Sequence, residues 1–175
     1  MRCLLDKVTA RFAVQGLLKL AEGRELTEEE LFILDLLARS QSLTNHLFIA
    51  PPSANVAWRL AQLPRYSGIT TYFLSLVEVA QPARYFKRWA RRLRDYGFAR
   101  EDAAILALAT FGTDQEGSFL GMEFVATHDQ SMIRHWSSQR EAIQDRLAAM
   151  QQDIPPPYSH AVLPRVQRPE QIAPR

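Results

Sequence analysis

Residues 123–129 read Glu-Phe-Val-Ala-Thr-His-Asp. A short apolar run, Phe124-Val125-Ala126, is too brief for a helix and suits a buried strand. It closes on Thr127, and Asp129 stands where it can cap a helix opening at Gln130. A strand apolar on both faces and followed at once by a helix is the unit of a parallel sheet covered by helices. The same unit recurs along the chain. Cys3-Leu4-Leu5 is a short apolar run that ends in Asp6 and reads as a buried strand or a helix start. Leu47-Phe48-Ile49-Ala50 reads as a strand stopped by Pro51-Pro52, and Leu76–Ala80 (LVEVA) as a third.

Helices are expected between these runs. Val8–Leu20 has apolar residues near helical spacing and ends before Gly23. Thr27-Glu28-Glu29-Glu30 is a capping box opening a helix to about Arg39. Ser53 can cap a helix to about Leu63, with Pro64 stopping it, and Pro82 is expected to open a helix that reaches Tyr96 and ends at Gly97. Asp102 opens an Ala-rich helix, apolar on nearly all sides, as a central helix is. Trp58 and Trp136 are expected to pack. The fold class is therefore α/β, over residues 1–150. Six of the ten prolines lie in 151–175, which reads as an extended Pro-rich tail, wrapping the domain or mobile.

Composition narrows the function classes. The chain has 175 residues, 47% hydrophobic and 23% charged, with net charge +2. That is one ordinary globular domain, with no apolar stretch long enough to cross a membrane. No secretory signal is visible, so the cytoplasm is expected. The single cysteine excludes an intrachain disulfide and a thiolate zinc cluster. Cys3 in a buried strand is expected to pack rather than react. No glycine-rich phosphate loop and no G-x-S-x-G occur. A dehalogenase-type phosphatase would need a second aspartate two residues after Asp6, where Val8 stands.

In open parallel sheets, ligands bind beyond the carboxyl ends of the strands. Asp6 and Asp129 stand there by pattern, and Asp102 opens a helix that the fold can bring to the same place. Singly, an acid at a helix start is more often a cap than a ligand. Asp6 is different, because an acid closing a buried strand is costly without a partner. Carboxylates gathered in one cleft repel one another unless a cation neutralises them, and hard Mg²⁺ or Mn²⁺ suits an all-oxygen set.

The order LLDKV, then GFAREDAAILALAT, then EFVATHDQSMI resembles a PIN domain over about residues 1–137. In that family an acid ends the first strand, a later D-A-x-x-x-A segment opens a helix, and T-x-D closes the last core strand. Asp6, Asp102 and Asp129 match these positions. The resemblance implies a three-layer fold with a central parallel sheet, and a Mg²⁺- or Mn²⁺-dependent ribonuclease leaving a 5′-phosphate and a 3′-hydroxyl. Asp6, Asp102 and Asp129 would hold the metal and orient the attacking water, with Thr127 orienting the water or Asp129. Many members are toxins of toxin–antitoxin pairs, and others are inactive scaffolds. RNA is the implied partner; an antitoxin-like or other protein partner and a homodimer stay open. Two departures stand out. The family's early glutamate after the second strand is matched by Asn55, whose carbonyl can coordinate but adds no negative charge. Lys7 follows Asp6 where the family has threonine. If Lys7 neutralises the aspartates, no metal is needed and a non-catalytic module binding RNA or protein results; if it points away, the carboxylates need a cation.

Residues 84–94 (RYFKRWARRLR) carry no acid before Asp95. Tyr85, Trp89 and Leu93 share a helical face suited to the core. Arg84, Arg88, Arg91 and Arg92 are left outward, where a solvated face or contacts to RNA phosphates are the two readings. His128 flanks Asp129, where it faces either the cleft or, as the favoured expectation, solvent in its loop. Pro155–Tyr158 reads as a rigid spacer or, less simply, as a docking motif.

Overall fold

The computed structural model describes residues 1–41 and 45–172. Residues 42–44, within a stretch (40–45) whose polar composition predicts a loop, and residues 173–175 lie outside the described residues. The chain forms an α/β fold in three layers. Five parallel strands make the central sheet: β1 (Arg2–Leu5), β2 (His46–Ile49), β3 (Glu78–Val79), β6 (Phe124–Ala126) and β7 (Arg165–Gln167), in the order β3-β2-β1-β6-β7. A separate antiparallel pair joins β4 (Gln81–Pro82) to β5 (Gly112–Thr113). The helices are α1 (Lys7–Ala21), α2 (Glu28–Arg39), α3 (Pro51–Ala61), α4 (Ser67–Leu76), α5 (Phe86–Asp95), α6 (Arg100–Phe111) and α7 (Gln130–Gln151).

Successive residues of a strand point to opposite faces. Leu4, Phe48 and Val125 therefore join one core with Trp89, Leu93, Leu106, Trp136 and Leu147 from α5, α6 and α7. Cys3, Leu5, Leu47, Ile49 and Ala126 join a second core with Ala13, Ile33, Leu36 and Phe73 from α1, α2 and α4. Both faces are thus covered, as expected for strands without a polar side.

Local signals decided several boundaries. The capping box is present: Thr27 Oγ1 accepts from Glu30 N–H at 3.3 Å, and the Glu30 carboxylate accepts from Thr27 N–H at 2.8 Å. Thr27→Ala is expected to cost about 1 kcal/mol of stability in urea unfolding, with the folded structure unchanged. Gly23 (φ 65°) and Gly97 (φ 89°) follow their helices in the left-handed region, which only glycine enters without strain.

Other boundaries differ from the sequence expectation. The third helix begins at Pro51, two residues before Ser53. Proline has its φ preset for a first turn, where its missing N–H is not needed. Pro82 does not open a helix: Gln81 and Pro82 pair with Thr113 and Gly112, and Ala83 N–H donates to Phe111 O at 3.1 Å, so α5 starts only at Phe86. Trp136 is buried at 2% exposure, but Trp58 is 48% exposed, because α3 turns the small Ala54 and Ala57 inward. The Pro-rich segment adds β7 beside β6, with Val166 buried against the sheet. Within it, Tyr158 packs edge-on to Tyr85 and Phe119, with centroids 5.2 and 5.5 Å away. No helix among the described residues is long and apolar enough to cross a membrane.

Candidate functional site

The chain runs outward from β1 through β2 to β3, then crosses back to place β6 on the other side of β1. The β1/β6 junction is the switch point of the sheet, where a crevice opens beyond the strand ends. Asp6 follows β1 and the segment Thr127–Asp129 follows β6, so both flank that crevice. Helix α6 leads back toward the start of β6, so it runs opposite to the strands. Its first turn, which carries Asp102, therefore lies at the same edge.

Each acid is held differently. Asp6 is 7% exposed, and both its oxygens accept hydrogen bonds: Oδ1 from Thr9 N–H at 2.6 Å, capping α1, and Oδ2 from the Thr127 hydroxyl at 2.5 Å. Thr127 Oγ1 in turn accepts from Asp129 N–H at 3.0 Å. One buried hydroxyl thus links the two segments that end β1 and β6. Asp129 Oδ1 caps α7, accepting from Ser131 and Met132 N–H at 2.8 and 3.1 Å. Asp102, half-buried, meets no hydrogen-bond donor among the described residues. Burial holds its carboxyl above the usual aspartate range, and the charges of Asp129 and Asp6 push the same way. His135, whose Nε2 lies 2.8 Å from Tyr96 O, acts weakly in the other direction.

The structure therefore brings Asp6, Asp102 and Asp129 within electrostatic reach of one another. It does not close them into a cage: among the described residues, no group of three His, Cys, Asp or Glu side chains is placed to hold a metal ion. The donor chemistry fits a hard divalent cation, with all-oxygen ligands and excess negative charge at one edge. Asn55 is exposed in α3 and has no hydrogen bond to any of the three aspartates. Lys7 turns outward: its side chain is 69% exposed, and its ammonium lies 3.6 Å from Glu101, not on an aspartate. Glu101 had no signal of its own in the sequence, since its partner lies in a distant helix.

Other residues are settled by their surroundings. Burial pushes the Cys3 thiol up to about 12, which removes it as a nucleophile near neutral pH. His128 does not face solvent as expected. Its ring stands edge-on to Phe12 at 5.2 Å, both ring nitrogens are buried without a partner, and burial lowers its pKa. On α5, Trp89 and Leu93 are buried and Tyr85 packs against the same core. Arg84, Arg88 and Arg91 are exposed, while Arg92 lies 3.5 Å from Asp95. Arg88, Arg91 and Arg92 line one surface depression with Lys87, and Arg91 also lines a neighbouring one with Arg94 and Arg100. Arg94 and Arg100 carry no binding motif of their own in the sequence. The signal for Arg100 was its place two residues before Asp102.

No protein-family model and no curated protein matches the chain. What fold and site define together is a class: a three-layer α/β domain with acidic side chains gathered at the switch point of its parallel sheet.

Proposed function

We propose that the chain is a divalent-cation-dependent ribonuclease of PIN type. The observation that supports this most is the charge balance at the strand ends. Three carboxylates share one edge, and no lysine or arginine among the described residues is ion-paired with them. Lys7, the cation nearest in sequence, is spent on Glu101. Such an arrangement is self-repelling until a cation joins it.

Asp6, Asp102 and Asp129 would hold that cation. A bound Mg²⁺ or Mn²⁺ supplies an activated water and neutralises charge that develops on a phosphodiester. The protein's own contribution is orientation. Thr127 donates to Asp6 while accepting from Asp129 N–H, so the two acids are set by one buried hydroxyl. Asp102, free of hydrogen bonds, is the carboxylate able to adjust. The cations of α5 supply the electrostatic attraction for a polyanion such as RNA.

A second reading, a catalytically inactive module binding RNA or a protein partner, is favoured by Asn55 in place of a carboxylate and by the open spacing of the acids. Calorimetric titration with Mn²⁺ separates the two. The nuclease reading expects saturable binding in the wild type, lost in Asp6→Asn. Because the Asp102 carboxyl must be ionised to bind, affinity should fall as pH is lowered, starting at a higher pH than an ordinary aspartate would set. Absence of binding at millimolar Mn²⁺ overturns the nuclease reading and leaves the binding module.

A further inference from the structure

Two adjoining depressions run along the exposed side of α5. The larger, about 650 Å³, is lined by Arg91, Arg94, Asp95, Gly97, Phe98 and Arg100. The other, about 450 Å³, is lined by Lys87, Arg88, Arg91 and Arg92. Arg91 belongs to both, so they form one strip. The only acid in the strip, Asp95, lies 3.5 Å from Arg92. Arg91, Arg94 and Arg100 have no ion pair among the described residues, and all three are exposed. Five of the six cations are arginines, whose planar fork matches phosphate oxygens in a way a lysine ammonium does not.

The strip ends at the N-terminus of α6. Arg100 and Asp102 share its first turn, two positions apart and so on different sides of the helix, which brings the strip to the helix end that carries Asp102. We infer that Arg91, Arg94 and Arg100 form a phosphate-binding subsite that leads a single-stranded RNA backbone toward Asp102, an inference that rests on the ribonuclease reading above. Guanidinium groups set in one strip, two on α5 and one at the start of α6, follow one backbone rather than the two of a duplex. Phe98, the aromatic residue in the larger depression, is 5% exposed and offers no face for base stacking. The contact is therefore with phosphates and indifferent to base sequence.

The test measures binding, not cleavage. A fluorescein-labelled oligouridylate is titrated by anisotropy in EDTA over a series of KCl concentrations. Arg94→Gln/Arg100→Gln is compared with Arg59→Gln/Arg146→Gln, which removes the same charge from exposed positions on α3 and α7. Losing two phosphate contacts should flatten the log–log salt dependence by about 1.4, or roughly 25-fold in relative affinity over a tenfold range of salt. The control pair should leave the slope near that of the wild type. Equal losses in both pairs, or none in the first, overturn the subsite. So does competition by poly-glutamate as effective as that by unlabelled oligouridylate. If the slope falls as expected while Mn²⁺ fails to bind, the subsite stands and only the catalytic reading is lost.

Discussion

Asp102→Asn is expected to abolish metal-dependent RNA cleavage while raising the stability of the metal-free protein. The two effects have one origin. A residue proposed to hold the cation should cost at least as much as a supporting residue around a metal, so the loss is on the order of 100-fold or more. The stability effect follows from the carboxyl being held above its usual range by burial, Asp129 and Asp6. For an acid with a raised folded-state pKa, the folded state binds the proton more tightly than the unfolded chain. Stability is then lost as pH rises from the unfolded pKa through the folded one. At neutral pH the ionised Asp102 is therefore a liability that asparagine removes. Its position in the first turn of α6 opposes this by about 0.3–1 kcal/mol, because a helix N-terminus favours an acid. The raised pKa means that burial and repulsion outweigh that term. Thermal melts at pH 7 without divalent ions should show the variant above the wild type, with the gap narrowing as pH falls through the raised folded-state pKa and closed below the ordinary aspartate value. Saturating Mn²⁺ should raise the melting temperature of the wild type and not that of the variant. A variant less stable than the wild type at pH 7 in EDTA would mean that the three acids do not repel one another as their placement requires.

Asp6→Ala should be costly in a different way. The carboxylate caps α1 through Thr9 N–H and accepts the buried Thr127 hydroxyl. Loss of the cap is worth about 1 kcal/mol. Leaving a buried hydroxyl without its acceptor adds roughly 1–3 kcal/mol. The sum, roughly 2–4 kcal/mol, is a large fraction of the total stability of a domain, and corresponds to a fall of roughly 4–16 °C in melting temperature. Relief of repulsion with Asp102 offsets a part of it. Asp6→Asn keeps an acceptor for Thr9 N–H and should therefore regain the cap's share, about 1 kcal/mol, while losing Mn²⁺ binding in full. The pair of variants thus separates the structural role of Asp6 from its proposed role at the cation. Equal stability of Asp6→Ala and the wild type would show that the cap and the Thr127 bond contribute nothing measurable.

Much of the fold was legible along the chain because it depends on near neighbours. The Thr27–Glu30 box, the glycines after α1 and α5, and the Asp129 cap each satisfy backbone groups a few residues away, so residue type and spacing suffice to read them. The alternation of short apolar runs with helices determined the α/β class, because strands buried on both faces cannot be built from half-polar sequence. The acids at the ends of β1 and β6 could be placed at one edge by the same logic.

Tertiary structure alone decided what depends on distant partners. Pro82 pairs as a strand because Gly112 lies opposite it, and residues 165–167 become the fifth strand because β6 offers an open edge. Trp58 and Trp136 look alike in sequence, yet one is exposed and one buried, since burial depends on which helix face meets the sheet. Lys7 could have neutralised the aspartates or left them bare. Its ammonium lies beside Glu101, on a helix that only the crossover from β3 to β6 brings near. That the carboxylates converge without closing into a cage is likewise a matter of three-dimensional placement. Hydrogen bonds and charge act through space, and the sequence by itself records their range only where chain neighbours are also neighbours in the fold.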